Sequence, residues 1–594
     1  MDRNSLLRTL VIAAALLLFW KFGMPLITGS NDKPQAVPEE VYSNAPGFVP
    51  DTLDPPVEKN EPNKPVEGEL CKIDGKRFDA TLSTRGAAIV NFHLEGGKYE
   101  GMDLSTTPDH ERWRSLRTLF RGPDAKDQVE FDRFPWKLEA QDGKSCTFAY
   151  EDENVRIVKK VAAGERPFEL GVSTSVTNLA KEPRRHQLSI GTFAFRRNAE
   201  MKGSLGRQSP WVTELSCAAG SDVTRKGKDD FKSGWFSAPS VDRYAAVNSQ
   251  YFTQALLPEP KPGTVTELPH CDVLAEQWLA PGQDPEADDA AVIFHAKLVY
   301  PAKELPPQAT ATYENTAFFG PKERDVLAQA GGGDRLRDVI NLGFFRPVAR
   351  VLVGFLVLLH ERVTFGNWGI AIILMTVCVR TLLFPLTWKS IRTTIAMRKL
   401  KPEVDALNEK FKDDPQAKNL AMMELWKKHG VNPFGGCLPQ LVQMPVWFAM
   451  YTTLQTAAEM YHVKFLWFKD LSAPDPYYVL PLLLGAFMII QQRIVPQQGM
   501  DPVQQKMMMW MMPIIFTVMM LFLPAALGVY MLTNSVLGIV QQLVVEQVAP
   551  RSKDDEKGIV VKQKGERPKG ASAGESAKNE KSLGDGFGKG KARV

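Results

Sequence analysis

One arginine sits where burial penalises its charge. Residues 367–388 read NWGIAIILMTVCVRTLLFPLTW, with Arg380 inside the run. About 20 apolar residues span the hydrocarbon core of a bilayer, so the stretch is long enough to cross. Arg380 is twelve residues from Trp368 and eight from Trp388. In a straight helix that is about 18 Å and 12 Å from the flanking aromatic anchors. A guanidinium at mid-membrane costs at least about 2.5–3.5 kcal/mol on insertion scales, and it cannot escape by losing its proton. Thr376 lies one turn earlier on the same helical face, which makes that face polar. Two readings follow. Arg380 snorkels to the inner surface as an anchor, or it faces a hydrated, cationic cavity inside a helix bundle.

A second feature is chemical in a softer sense. Residues 507–523 read MMMWMMPIIFTVMMLFL. Methionine is flexible and polarizable and suits surfaces that accept many apolar shapes, although such a helix also serves as plain lipid-facing or core surface. Paired with a cationic cavity, it suggests a slide for an apolar helix while Arg380 attracts an acidic or polar flanking segment. Other chemistries find little support. Neither GxxxxGK[ST] nor a paired acidic cluster is present, there is no HExxH, and the spans hold no Ser/His constellation. No catalytic residue, cofactor or metal is expected. The six cysteines show neither a CxxC pair nor zinc-ligand spacing. Four of them, Cys71, Cys146, Cys217 and Cys271, lie in the first half, where three disulfide connectivities and free buried thiols all stay open.

The elements that must position Arg380 divide the 594 residues into membrane and soluble parts. Net charge is only +4, which argues against a nucleic-acid binder by bulk charge. Residues 6–27 are apolar, have Arg3 before them and Arg8 at their start, and lack a clear small-x-small cleavage site, so they read as an uncleaved anchor. Residues 29–68 are rich in Pro, Asn, Asp and Glu and read as a disordered linker. Then the period changes to two. Leu170, Val172 and Val176 alternate with Glu169, Gly171, Ser173 and Thr177; Leu188, Ile190 and Thr192 alternate likewise; residues 291–300 form another strand-like run. About 250 residues of this pattern, broken by turns, predict a large antiparallel β-sandwich. Its histidines, His93, His110, His186, His270 and His295, have no metal spacing, and no acid/base pair is identifiable. The bland reading is a module for contacts.

After the hinge Gly331-Gly332-Gly333, residues 344–365 are apolar but carry Arg346, Arg350, Glu361 and Arg362. Parity decides their place. Residues 389–430 hold ten Lys/Arg and six acids and read as cytoplasmic. With the sandwich outside, one further crossing is needed, and the Arg380 segment supplies it. Residues 344–365 therefore read as an amphipathic helix in the outer interface. Residues 389–430 read as a helical hairpin, with runs at 390–412 and 416–429 broken at Asp413-Asp414-Pro415. Met397, Leu400, Val404, Leu407 and Phe411 form one apolar stripe, which either packs the hairpin on itself or docks a partner. Four more apolar segments follow, then a Gly/Ser/Lys-rich basic tail suited to ribosomal RNA or anionic lipid.

The sequence resembles the YidC membrane protein insertases in their Gram-negative form. The resemblance is carried by VRTLLFPLT (379–387), VNPFGGCLPQLVQMP (431–445), DLSAPDPYYVLP (470–481), DPVQQK (501–506) and VQQLV (540–544). It is carried more weakly by SVDRYAAVNSQYFTQALLP (240–258) and AFFGPKE (317–323) in the sandwich. It implies a multi-domain membrane protein of six transmembrane α-helices, a five-helix insertase core plus an N-terminal anchor, with a large antiparallel periplasmic β-sandwich. The expected boundaries are an anchor at 1–28, the linker at 29–68, the sandwich at 69–330, the interfacial helix at 340–365, spans at 366–388, 435–460, 477–493, 507–523 and 525–547, the hairpin at 389–430 and the tail at 551–594.

The resemblance also implies a hydrophilic groove open to cytoplasm and lipid, with Arg380 and Thr376 at its centre and Gln443 and Tyr530 as further groove residues. A tyrosine pair of some relatives stands here as Tyr530-Met531. The apolar slide on the third and fifth spans would comprise Met444, Phe448, Met508, Met511, Met512 and Phe516. Implied partners are nascent membrane proteins, the Sec translocon, membrane lipids, and the ribosome through the hairpin and tail. The place is the cell inner membrane, with both termini cytoplasmic. Two other classes remain open: a small-solute transporter using Arg380 as an anion site, and a carbohydrate-active or scaffolding protein whose spans only anchor the sandwich.

Overall fold

A computed structural model of the chain describes residues 45–48, 68–105, 113–121, 128–129, 136–203, 209–232, 234–280, 282–411, 414–429, 438–494 and 502–548. The expected anchor, most of the expected linker and the basic tail lie outside the described residues. The described residues fall in one compact unit, Met1–Glu546, except for the end of the last helix, which belongs to the second unit, Gln547–Val594.

The alternating segments form strands, and every pairing between them is antiparallel within the described residues. A nine-stranded sheet has Thr310–Pro321, Glu169–Asn178 and Val155–Ala163 near its middle. A six-stranded sheet is built around His270–Trp278, Ala291–Val299 and Leu188–Arg197. Leu170, Val172 and Val176 from the first sheet and Ile190, Phe294 and Leu298 from the second share one buried core, so the two sheets form a sandwich. Period two is what sends these residues inward and their neighbours outward. A three-stranded sheet, Leu70–Gly75 to Ala88–Leu94, joins that core.

The cysteine question is settled by proximity. Cys71 is bonded to Cys146 and Cys217 to Cys271. The second bond ties Glu214–Ala219 of the large sheet to His270–Trp278 of the smaller one. Part of the expected linker is also ordered against the sandwich. Phe48 is buried in the core, Gly47 bridges Arg185, and the Pro46 carbonyl accepts from the Arg185 amide at 3.0 Å. One large aromatic ring in a polar stretch is enough to pin it.

The helical domain begins with α1, Arg346–Arg362. It has Pro347 in its first turn, where a missing N–H costs nothing, and His360 and Arg362 in its last turn beside free carbonyls. The Arg380 helix, α2, is Trp368–Leu382 and is capped by the Asn367 side chain, which accepts from the Ile370 amide at 3.0 Å. It does not run to Trp388. The chain bends by 65° into α3, Phe384–Lys399. Pro385 is the cause. It has no N–H to give the Thr381 carbonyl, and its ring collides with that carbonyl in a continuing helix. Pro402 acts the same way further on, so the single run expected over 390–412 is broken at Leu400 between α3 and α4, Lys401–Lys410. α5, Pro415–Lys428, starts where Asp414 accepts from the Gln416 and Ala417 amides at 3.0 Å. The hairpin packs on itself through Val404, Met422 and Leu425.

The remaining helices are α6, Leu438–Thr456; α7, Val479–Ile494; α8, Pro502–Met520; and α9, Ala525–Val548. Leu352, Leu356, Ile372, Met375, Met450, Leu480 and Leu527 from five of these helices share one buried core. At Gly485 of α7 a Cβ would collide with Thr517 Oγ1 of α8, so those two helices approach through a glycine. Among the described residues α9 is long and apolar enough to cross a membrane alone, and the bent pair α2–α3 counts as a second if taken as one span; Val479–Ile494 and Met509–Met520 are shorter apolar helices.

The two domains meet at the end of α6. The Gln455, Ala458 and Glu459 carbonyls, left free where the helix stops, accept from Gln250 Nε2 (2.5 Å), Lys98 Nζ and Tyr99 Oη (2.9 and 3.0 Å on Ala458), and Lys98 Nζ again (2.8 Å). Glu459, the one acid noted near a span, forms an ion pair with Arg324 at 2.8 Å. It is part of this clamp.

Candidate functional site

Arg380 stands in the last turn of α2. The bend after Leu383 therefore changes its setting. It is at the negative end of a helix dipole, which favours a cation by about 0.3–1 kcal/mol. The side chain crosses to α9. Its Nε donates to Asn534 Oδ1 at 2.6 Å, one Nη donates to the Asn534 carbonyl at 3.0 Å, and the other to Gln541 Oε1 at 3.3 Å. Gln541 Nε2 returns a bond to the Arg380 carbonyl at 3.2 Å. Gln443 of α6 donates to the same Asn534 Oδ1 at 3.0 Å. Gly538 of α9 makes room: a Cβ there would sit 3.4 Å from an Arg380 Nη and 3.6 Å from Gln491 Nε2 of α7. Four helices thus contribute to one polar station.

The station has a definite electrostatic character. Hydrogen bonds to a charged group contribute about 1.5–3 kcal/mol each. Two or three of them offset the roughly 2.5–3.5 kcal/mol that insertion of the guanidinium costs. Yet every partner is a neutral amide or carbonyl. Among the described residues no carboxylate lies within ion-pair distance of Arg380. The α9 carboxylate of Glu546 is bound instead to Arg398, at 2.8 Å, with Gln542 donating to it at 2.8 Å. The charge of Arg380 is solvated but not neutralised.

The structure brings together Arg380 and Gln443, places Tyr530 within electrostatic reach of the guanidinium, and turns Thr376 onto its own helix. Thr376 is buried and donates to the Ile372 carbonyl of its own helix at 2.7 Å. Tyr530 is buried in the helical core. Asn534 and Gln541, which complete the station, were not among the groove residues expected from sequence. Their signal was present: Asn534, Gly538 and Gln541 recur at four and three residues and so share one face of α9. Of the apolar positions, Met444 and Met511 are 43% and 42% exposed. Met512 and Phe516 are half-buried. Phe448 is stacked on Phe345 at 5.8 Å, which commits it to the start of α1. The Met508 side chain lies outside the described residues. Trp510, Ile514 and Val518 extend the exposed face of α8.

Three histidines of the β domain, His186, His270 and His295, are buried, while His93 is half-exposed. His295 Nε2 is 3.4 Å from Glu276 Oε2, a buried pair that sequence did not reveal because a strand register places it. Burial pushes the His295 imidazole down to about 4. His186, bonded to Tyr313 Oη at 2.7 Å, is pushed down to about 3, again by burial. Both are neutral at pH 7. Among the described residues no three His, Cys, Asp or Glu side chains gather as metal ligands.

Comparison with known proteins covers both domains. Residues 359–553 match the family model described as 60Kd inner membrane protein, and residues 70–355 match the one described as YidC periplasmic domain. A membrane protein insertase YidC of Anaeromyxobacter dehalogenans (strain 2CP-C) is 34% identical over 567 residues, covering 91% of this chain and 96% of that one. One from Geobacter sulfurreducens is 48% identical over 231 residues, covering 39% of this chain and 42% of its own. The solved structure of an active YidC insertase with its first transmembrane domain resolved has 17% identity and a TM-score of 0.34, covering 80% of this chain and 94% of that one.

Proposed function

The chain belongs to the YidC membrane protein insertase family, and from that premise we propose that it inserts nascent membrane proteins by way of the Arg380 station. The observation that carries the reading is that Arg380 is held by neutral groups alone. A cation with hydrogen-bond partners but no counter-ion among the described residues is placed and still unneutralised. It attracts the short acidic or polar tail that flanks a client's apolar helix. Gln443, Asn534 and Gln541 offer that tail amide partners in place of water. The exposed apolar face of α6 and α8, from Met444 to Met511 and Ile514, receives the helix itself.

The energetics need no covalent step and no cofactor. Burial of one large apolar side chain contributes roughly 1.5–3 kcal/mol, so a whole helix moving into lipid outweighs carrying a short polar tail across. A membrane potential positive outside adds about 2.3 kcal/mol per negative charge per 100 mV. In this reading the protein sits in the cell inner membrane with six crossings and both termini cytoplasmic. The β domain is periplasmic, α1 lies in the outer interface, and the α4–α5 hairpin and the basic tail face the ribosome. The insertase works alone or beside the Sec translocon. Thr376 and Tyr530 form the wall of the groove, behind the polar station.

The test is site-specific photo-crosslinking from Gln443, Met444 and Met511 to a ribosome-bound nascent client, with buried Met375 as a negative control. Crosslinks from the three positions, with insertion reduced at least tenfold by Arg380→Ala, support the reading. Arg380→Lys should retain more activity than Ala but less than the wild type, because an ammonium cannot reach Asn534 and Gln541 together. Silence at all three positions, with insertion unchanged by Arg380→Ala, sinks it.

A further inference from the structure

A cavity of about 350 Å3 lies where the segment leaving the β domain meets α1. Its wall is of two kinds. Leu342, Val353 and Val357 are apolar, while four arginines and three aspartates bring charge. Most of these charges are already used: Arg350 donates to Asp338 Oδ1 at 2.7 Å, Arg337 pairs with Asp334 and Arg324 with Glu459. Arg346 and Asp325 make no ion pair or side-chain hydrogen bond among the described residues. Two opposite charges thus line one cavity without meeting each other. Burial, with Glu361, Glu459 and Glu323 nearby, pushes the Asp325 carboxyl above its usual range, so a cation arriving beside it is favoured.

Gly354 both lines the cavity and is exposed, and a Cβ at Gly354 would meet nothing within 4 Å. Val351, Gly354 and Leu358 follow at three and four residues and form one stripe on α1. Val351 is 72% exposed and Leu358 52%. A gap without a side chain therefore connects a bipolar cavity to an exposed apolar track. That combination fits an amphiphile whose head carries both signs and whose tail is apolar.

We propose that this cavity binds the headgroup of a zwitterionic aminophospholipid, with its phosphate on Arg346, its primary ammonium on Asp325, and an acyl chain leaving past Gly354 along Val351 and Leu358. An anionic glycerol headgroup offers Asp325 hydroxyl donors but no positive charge. A choline headgroup has no N–H to donate to it. The inference rests on α1 lying in the membrane interface and is independent of the groove, so its test uses no client.

The full chain is reconstituted in nanodiscs of equal phosphatidylethanolamine and phosphatidylglycerol, moved to a mild detergent, and scored by native mass spectrometry for retained lipid. The wild type should retain phosphatidylethanolamine over phosphatidylglycerol at least fivefold. Gly354→Leu fills open space on a helix, is compatible with folding, and should cut that retention at least fivefold. Asp325→Asn should shift the preference toward phosphatidylglycerol, and Arg346→Gln should lower retention of both. Equal retention of the two lipids by the wild type overturns the proposal. So does phosphatidylethanolamine retention that Gly354→Leu and Asp325→Asn leave unchanged.

Discussion

Each domain buries a cation, and the two handle it in opposite ways. Lys159 is on strand Val155–Ala163, fully buried between the sheets, and donates to the Leu116 carbonyl and to Thr118 Oγ1. Burial pushes its ammonium down to about 7, so near neutral pH the sandwich can shed the charge. Arg380 in the helical domain has no such route, because a guanidinium does not deprotonate in a protein. It is given three acceptors and remains charged. The difference is one of residue type as much as place. A lysine between sheets is a group that the fold can neutralise to reach a packed core. An arginine among amides is a charge that the fold preserves. The first is part of a packed core, and the second is the charge that the proposed mechanism uses.

This contrast can be broken at several points. The largest effect should come from opening the sandwich. The Cys217–Cys271 bond closes 54 residues, and such a loop contributes about 4 kcal/mol in the chain-entropy picture. Cys217→Ser with Cys271→Ser should lower the β-domain melting temperature by several degrees in calorimetry, yet leave client insertion within twofold. A matching loss of insertion would mean that the two domains do not divide the work. Next comes the station itself. Asn534→Leu removes the acceptor that Arg380 and Gln443 share, leaving a buried donor unsatisfied at about 1–3 kcal/mol. The helical transition should fall while the β-domain transition stays. A double-mutant cycle with Gln443→Leu should be non-additive, since both side chains donate to one oxygen; strict additivity would remove the shared-acceptor picture.

The smallest effect concerns Lys159. Its folded pKa lies below the unfolded value of 10.5. Between about pH 7 and 10.5 the unfolded chain holds a proton that the folded domain lacks, so stability rises with pH across that window. The slope is at most about 1.4 kcal/mol per pH unit for one proton. Lys322 is buried too and is pushed down to about 8, so it adds to the slope above that pH. Lys159→Met should flatten the slope in melting curves between about pH 7 and 8 and leave the Lys322 slope above about pH 8. A slope unchanged between about pH 7 and 8 would return Lys159 to an ordinary charged lysine.

How much of this was legible in advance varies from residue to residue. Arg380 was visible because a lone charge in an apolar run needs an explanation wherever it occurs. The helix around it reads from sequence as running on to Trp388, although Pro385 stands five residues from Arg380 and carries the information that the helix stops. Pro402 likewise marked the break inside the hairpin. The clamp on α6 was not legible. Lys98, Tyr99, Gln250 and Arg324 are far from residues 455–459 in sequence, and nothing local announces that a helix end will be capped by another domain.

The sequence by itself determined the division into a strand-rich and an apolar helical part, since periods of two and 3.6 are properties of single segments. It also determined the family, through motifs that are contiguous in the chain. Only the tertiary structure decided which cysteines pair, which amides surround Arg380, and that no carboxylate among the described residues does. Those facts depend on separations of a few ångströms between residues 54 to 161 positions apart. Local preference cannot fix such distances, because they are set by how whole sheets and helices pack.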